Sequence, residues 1–375
     1  MKKIRKKPVV LLLAGCYLIN VMMGCGKEEA MDADASLTTP MVTESVKEPT
    51  AIEKKAQENA NTLVVTVGEQ QVYLDTMLYF IYSMETKGAY SEEYYQEIYG
   101  TGFWELEYAK DYTMRDLYKD YAMDSAVQYV ILANEAKKQG LSLTDAEKAE
   151  NYAYALTVIS SCTPEQLEKS GMTAEAVAAT TEMMALAEKY YQYFTGNLTI
   201  SLEEIKAGID PADYKEYETE YWYIATSKYD EEYNVLSFTE SEKAAVMQKM
   251  EAVHEELLSG KTTDLLQKEY GELLHETRIF LEQGEGAEKA YKEAAAELAV
   301  GEYSLPVQTE YGIYVIKMID DACMNSYNAA VEEAYATAVR DAFDSWYEET
   351  KASYTITVNE AVWEKIVLGN MVYEE

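Results

Sequence analysis

The chain has 375 residues, with 67 Asp plus Glu against 32 Lys plus Arg, a formal charge of −35, and two histidines. That charge argues against a nucleic-acid binder, which needs clustered Lys and Arg, and against electrostatic capture by anionic lipid. A hydrophobic share of 48% supplies packed cores, the length suggests two or three domains, and two histidines leave little room for a His-rich metal site or a Ser-His-Asp triad.

Lys2, Lys3, Arg5, Lys6 and Lys7 precede an apolar stretch from Val9 to Met23 that is too short and broken to span a membrane. It reads as a signal peptide over 1–24. Met22-Met23-Gly24-Cys25 resembles a bacterial lipobox, with Cys25 as the lipidated residue. Leu13-Ala14-Gly15-Cys16 is the alternative, but a cut there leaves the apolar segment 17–23 at the mature start. Cutting before Cys25 removes five basic and no acidic residues, so the exported body is more acidic still. Cys162 and Cys323 read either as two separate buried thiols or, in an oxidising exported location, as a disulfide pair.

Residues 25–61 are polar, contain Pro40 and Pro49 and lack aromatics, which reads as a disordered tether. The run Leu63-Val64-Val65-Thr66-Val67 predicts a strand ending at Gly68, and 71–74 can pair back on it. Asp75 is a plausible N-cap for the next helix. Helical periodicity continues over 91–140 with Gly140 at its C-terminal end. Thr144 and Glu147 have capping-box spacing, Pro164 suits the first turn of a helix, and Thr173 opens another that runs to about Phe194. Ser201 starts a last helix before the pattern changes. Strands then follow at 218–226, 277–281 and 312–318, with helices at 240–259, 264–270 and 289–298 between them, one small α+β domain. Residues 326–352 return to helical periodicity. Residues 354–358 form a final strand, expected to pair with Leu63–Val67.

The segment Gly301-Glu302-Tyr303-Ser304-Leu305-Pro306-Val307-Gln308-Thr309-Glu310-Tyr311-Gly312-Ile313-Tyr314-Val315-Ile316-Lys317 resembles the end of a parvulin domain. That family carries a Gly-Glu-x-Ser-x-Pro-Val-x-Thr turn and then a Gly-x-His-Ile-Ile-Lys strand. Residues 257–270 and 287–298 resemble its earlier helices, and 218–226 stand where its first strand belongs. With the lipobox and the flanking helices, the arrangement is similar to the PrsA foldase lipoproteins and SurA over about 62–366. The resemblance implies an α+β protein: a mostly helical SurA/PrsA-like chaperone domain formed by 62–204 and 323–375, with a parvulin-like peptidyl-prolyl isomerase domain inserted at 205–322. It implies rotation about X-Pro bonds of unfolded or newly exported polypeptides, without metal or cofactor, on the outer face of a bacterial cell membrane to which Cys25 lipid anchors the chain. A homodimer is a further expectation.

The family's two histidines align with Tyr223 and Tyr314, its pocket residues on the last helix fall near Ala287 and Tyr291, and its Gly-Gly loop is missing. Tyrosine can hydrogen-bond where neutral histidine does, so Tyr223 and Tyr314 are the candidate catalytic pair. The competing reading makes them core residues of a scaffold that has lost catalysis and works as a holdase. His275, near the family's active-site loop, either faces the cleft or lies on the surface. Phe280 either floors a proline pocket or is core. Of 34 tyrosines in the chain, many crowd the helical region. They either present rings to clients or replace Phe, of which there are six, on half-buried faces.

Overall fold

The structure, a computed structural model, describes residues 48–370. The segment read as a signal peptide, Cys16, Cys25 and the first part of the expected tether lie outside the described residues. The chain divides into two compact units: one runs up to Leu198 and resumes at Asp341, and the other is Thr199–Arg340.

The tether expected to reach residue 61 gives way to a helix, α1 (Ala51–Asn59). Thr50 and Glu53 form a capping box, Thr50 Oγ1 accepting from the Glu53 N–H at 3.2 Å and the Glu53 carboxylate from the Thr50 N–H at 2.6 Å. Buried Asn59 donates to the Ser170 carbonyl at 2.7 Å, fastening the helix to its unit. A polar composition hid this element, which is held by one capping box, a buried amide and packing on the Pro164–Ser170 segment.

Strand β1 (Leu63–Val67) turns through Gly68, whose φ of +61° suits glycine, into β2 (Gln70–Tyr73). Helix α2 (Leu74–Tyr99) starts without a side-chain cap; Asp75 sits in its first turn, where a negative charge suits the helix dipole. The helical run expected over 91–140 is broken. After a left-handed Gly100 come a short 3-10 turn, Phe103–Glu105, and the hairpin β3 (Glu107–Ala109) and β4 (Tyr112–Thr113). Thr113 and Asp116 then cap a new helix, α3 (Met114–Lys138). Helices α4 (Asp145–Ser160), α5 (Pro164–Ser170) and α6 (Ala174–Gly196) follow, each with a threonine N-cap whose hydroxyl accepts a backbone N–H. Helices α2, α3 and α6 pack together and α4 lies on α6, burying Met77, Leu78, Ile81, Ile131, Leu132 and Ala187 in one core.

The second unit opens with α7 (Leu202–Ala207) and β5 (Glu216–Ala225). A hairpin that the sequence pattern did not suggest comes next, β6 (Ser227–Tyr229) and β7 (Val235–Ser237). Helices α8 (Glu240–Leu258) and α9 (Thr263–Glu269), strand β8 (Leu274–Leu281), helix α10 (Lys289–Ala296) and strands β9 (Val307–Gln308) and β10 (Gly312–Cys323) complete it. The sheet is antiparallel in the order β8-β5-β10-β9. One face packs on α8 through Trp222, Ile224, Val246, Met250, Ile313 and Val315. The other packs on α10 through Tyr221, Phe280, Tyr291, Tyr314, Ile316 and Met318.

Helix α11 (Asn325–Ser353) begins in this unit, so the inserted segment extends past the expected boundary at 322 to Arg340. Near the start of the helix the buried Glu216 carboxylate of β5 accepts from the Ser326 hydroxyl at 2.7 Å and the Ser326 N–H at 3.3 Å, and Tyr327 and Val331 are buried. From Asp341 onward the chain belongs to the first unit, where Phe343 and Tyr347 join the core. Strand β11 (Ile356–Val358) pairs antiparallel with β1, Val65 opposite Val358 and Val67 opposite Ile356, the pairing that the like character of the two strands suggested. Helix α12 (Glu360–Trp363) leads into a last segment whose Trp363, Ile366 and Leu368 are buried.

Candidate functional site

Alternation along β5 decides which residues can meet. Side chains of a strand point to opposite faces in turn, so Tyr217, Thr219, Tyr221 and Tyr223 face α10 while Trp222 and Ile224 face α8. Tyr314 of β10 stands directly opposite Tyr223 in the ladder. The two rings stack with centroids 4.9 Å apart and planes 10° from parallel. Tyr221 lies tilted against both, at 5.7 and 5.6 Å. Tyr291 of α10 meets Tyr314 edge to face at 5.4 Å.

Charged groups frame these rings. The Arg278 guanidinium lies 4.9 Å from the Tyr221 ring centre and 4.8 Å from that of Tyr291, a cation–π arrangement. It donates to Glu288 at 3.1 Å. Glu288 also accepts from the Thr309 hydroxyl at 3.2 Å and the Tyr314 hydroxyl at 3.3 Å. Tyr221 donates to Glu276 at 2.6 Å. The Tyr223 hydroxyl has no partner among the described residues.

Burial, reinforced by the bond to Glu276, pushes the Tyr221 phenol up to about 12. Burial, with Glu288 nearby, raises Tyr314 as well, and burial raises Tyr223. All three phenols are therefore neutral O–H donors at physiological pH.

The stacked pair forms the base of an open cleft of about 850 Å³. Its walls include Arg278, Ala287, Glu288, Thr309 and, on the hairpin, Tyr229. Of the residues singled out by sequence, Tyr223, Tyr314 and Ala287 line this cleft. Phe280 and Tyr291 do not: they are 3% and 0% exposed, packed edge to face behind it, with the Tyr291 hydroxyl 2.8 Å from Thr219 Oγ1. They are core. His275 is a correction of a different kind. It lies within β8 opposite Trp222, so it points to the α8 side of the sheet. Its ring stacks on Trp222 at 4.9 Å and its Nε2 is 2.8 Å from Glu220, which also accepts from Lys317. It cannot join Tyr223 and Tyr314.

Sequence reasoning passed over Tyr221, Arg278, Glu276 and Glu288. Tyr217, Thr219, Tyr221 and Tyr223 stand at intervals of two in a strand, so the strand period was the signal for Tyr221. Arg278 and Glu276 carried the same signal in β8, once that strand starts at Leu274. The cleft offers a broad aromatic base, the unpartnered Tyr223 hydroxyl and one guanidinium, an arrangement suited to holding a peptide segment and hydrogen-bonding its carbonyls. Among the described residues, no group of three or more His, Cys, Asp or Glu is placed to hold a metal ion. Cys162 and Cys323 are both free thiols.

No family model matches the chain. In sequence it is similar to the foldase protein PrsA of Caldanaerobacter subterraneus subsp. tengcongensis, 25% identical over 219 residues, covering 54% of this chain and 57% of that protein. The chain thus spans a little over half the length of this curated relative. Among solved structures it is similar to PrsA of Lactococcus lactis, at 12% identity over 81% of this chain and 97% of that one, with a TM-score of 0.29. It is similar to PrsA of Bacillus subtilis, at 16% identity over 64% and 86%, with a TM-score of 0.21. A third similarity, at 9% identity over 80% and 99% with a TM-score of 0.29, is to one of the SurA-like chaperones PEB4 and Cj1289 of Campylobacter jejuni. The sequence similarity is thus to a PrsA foldase, over 219 residues.

Proposed function

We propose that this PrsA/SurA-like chain is an extracytoplasmic foldase, tethered through Cys25, that binds unfolded or newly exported polypeptides and turns their X-Pro bonds in the cleft above Tyr223 and Tyr314. The observation that carries the proposal is the stacked pair itself: two family histidine positions filled by tyrosines that still meet at the base of an open cleft, one of them with a free hydroxyl. Rotation about the prolyl bond makes and breaks no covalent bond. Its barrier is about 18–20 kcal/mol, arising from amide resonance. A site lowers it by holding the twisted amide better than the planar one. The aromatic base receives the pyrrolidine ring, and Tyr223 O–H and Arg278 supply donors to the carbonyls flanking the rotating bond. The neutral state of the phenols supports this role, since an ionised phenolate could not donate.

Exchange spectroscopy on a short Ala-Pro peptide tests it. The full chain should raise the cis–trans exchange rate at substoichiometric concentration, and Tyr223→Phe, which removes one hydroxyl, should cut that effect by about tenfold, the worth of one net hydrogen bond. Unchanged exchange at equimolar protein would withdraw the enzyme assignment.

A second reading is a holdase without isomerase activity. The observation favouring it is that Phe280 and Tyr291, the expected pocket wall, are turned into the core, leaving Ala287 to face the cleft. Under that reading the chain suppresses client aggregation while exchange stays at the uncatalysed rate.

A further inference from the structure

A second hollow opens on the α8 side of the same sheet. It measures about 440 Å³, and its lining includes Ile224, Phe238, Ala245 and Val246, with Lys249 and Glu272 paired at its edge. Its wall is apolar enough to take an aliphatic or aromatic side chain. Two residues, Ala225 and Ser227, line both this hollow and the tyrosine cleft. The two cavities therefore flank one another at the end of β5.

The strands that cross this point carry an uncommon surface. On the β6–β7 hairpin, Tyr229 is 72% exposed, Tyr233 86% and Val235 61%, with Leu236 also exposed. The hairpin is nonetheless built to hold its shape. Asp230 accepts from the Asn234 backbone N–H at 2.8 Å, the Asn234 side-chain amide at 3.1 Å and the Glu232 backbone N–H at 2.9 Å, and those bonds lower its carboxyl below the usual range. Phe238 N–H donates to the Thr226 carbonyl, and Thr226 N–H to that of Tyr311, tying the hairpin base to both cavities. A hydrogen-bonded hairpin that keeps Tyr229, Tyr233, Val235 and Leu236 in water leaves their apolar surface uncovered, which a bound chain would relieve.

We propose that the polypeptide client held in the tyrosine cleft continues over the hairpin and seats an apolar side chain in the second hollow. This rests on the cleft being the client site. Crossing the edge of one sheet layer, about 10 Å thick, takes about three extended residues. The preferred client thus has a Leu, Ile or Phe some three to five residues from its proline, on one side of it. The hollow acts as a specificity site for long substrates and contributes nothing to a short Ala-Pro peptide.

Fluorescence anisotropy of labelled peptides on the full chain tests this. One peptide carries a single proline among Ala and Ser; two others add a Leu or Phe four residues before or after it. One of the extended peptides should bind about tenfold more tightly, the gain expected from burying one such side chain. Ala245→Trp, at an exposed helix position, fills the hollow and should abolish that gain without changing affinity for the short peptide. The triple variant Tyr233→Asn, Val235→Thr, Leu236→Thr should reduce the gain in the same way. Equal binding of short and extended peptides, or a gain that survives Ala245→Trp, overturns the specificity site alone. Failure of all peptides to bind overturns it together with the client cleft.

Discussion

Tyr223 and Tyr314 face each other across neighbouring antiparallel strands with their rings 4.9 Å apart and nearly parallel. The contact joins β5 to β10 on the surface of the sheet and is also the base of the cleft. Tyr314 is 3% exposed, Tyr223 half-buried, so the two substitutions should separate. Tyr314→Ala should cost about 3 kcal/mol or more by opening a void beside Tyr221 and Tyr291. Tyr314→Phe keeps the ring and loses only the long bond to Glu288, costing about 1 kcal/mol or less. Urea unfolding of both variants reads the difference.

Alkaline pH tests the neutral phenols. Tyr221 has a folded-state value of about 12, above its usual value of 10, and Tyr291 and Tyr314 are shifted in the same direction by burial. The folded state thus holds protons that the unfolded state releases above pH 10. The contribution of these groups is fully present below pH 10 and is lost as pH rises from there through about 12. Urea midpoints measured from pH 8 to 12 should be flat at first and then fall, and Tyr221→Phe should make the fall shallower.

Glu216 should prove a helix cap supplied from a strand. Its buried carboxylate accepts both the N–H and the hydroxyl of Ser326 at the start of α11. Glu216→Gln keeps the shape but weakens a charge-assisted cap, a loss of about 1–2 kcal/mol. Hydrogen exchange should quicken at residues 326–330 more than in the remainder of that helix.

Gly88 sits inside α2, where alanine would ordinarily improve helix stability by about 1 kcal/mol. Here a Cβ would run into the Trp104 ring. Overpacking of this kind costs about 1–3 kcal/mol or more, so Gly88→Ala should destabilise the first unit and lower its thermal midpoint. Gly369→Ala should do likewise, since its φ is +88° and its Cβ would meet the other part of the same indole, Nε1 at 2.8 Å.

Much of the fold could be read from periodicity and caps. Thr144 with Glu147, Pro164, and the like character of 63–67 and 354–358 all led to the elements and the pairing found. The misses share a cause, which is that composition is averaged over a stretch while structure turns on single contacts. Residues 51–59 looked like tether, yet the Thr50–Glu53 cap, the buried Asn59 amide and packing on the Pro164–Ser170 helix hold them. His275 was drawn to the cleft by its chemical type, but a strand places adjacent residues on opposite faces, and beginning β8 at Leu274 sends it to Trp222. Phe280 and Tyr291 were on the correct face but behind the cleft, because the tyrosines of β5 and β10 already occupy its base. Arg278 and Glu288 became visible only when the register put them beside Tyr221 and Tyr314.

Proline-limited refolding of a small unfolded protein tests whether the cleft over Tyr223 and Tyr314 accelerates prolyl rotation. With the full chain present, the slow refolding phase should shorten in proportion to added protein, and Tyr223→Phe and Arg278→Ala should each remove most of that acceleration while leaving the chain folded. A slow phase that keeps its uncatalysed time constant at equimolar protein would mean that the cleft does not turn prolyl bonds.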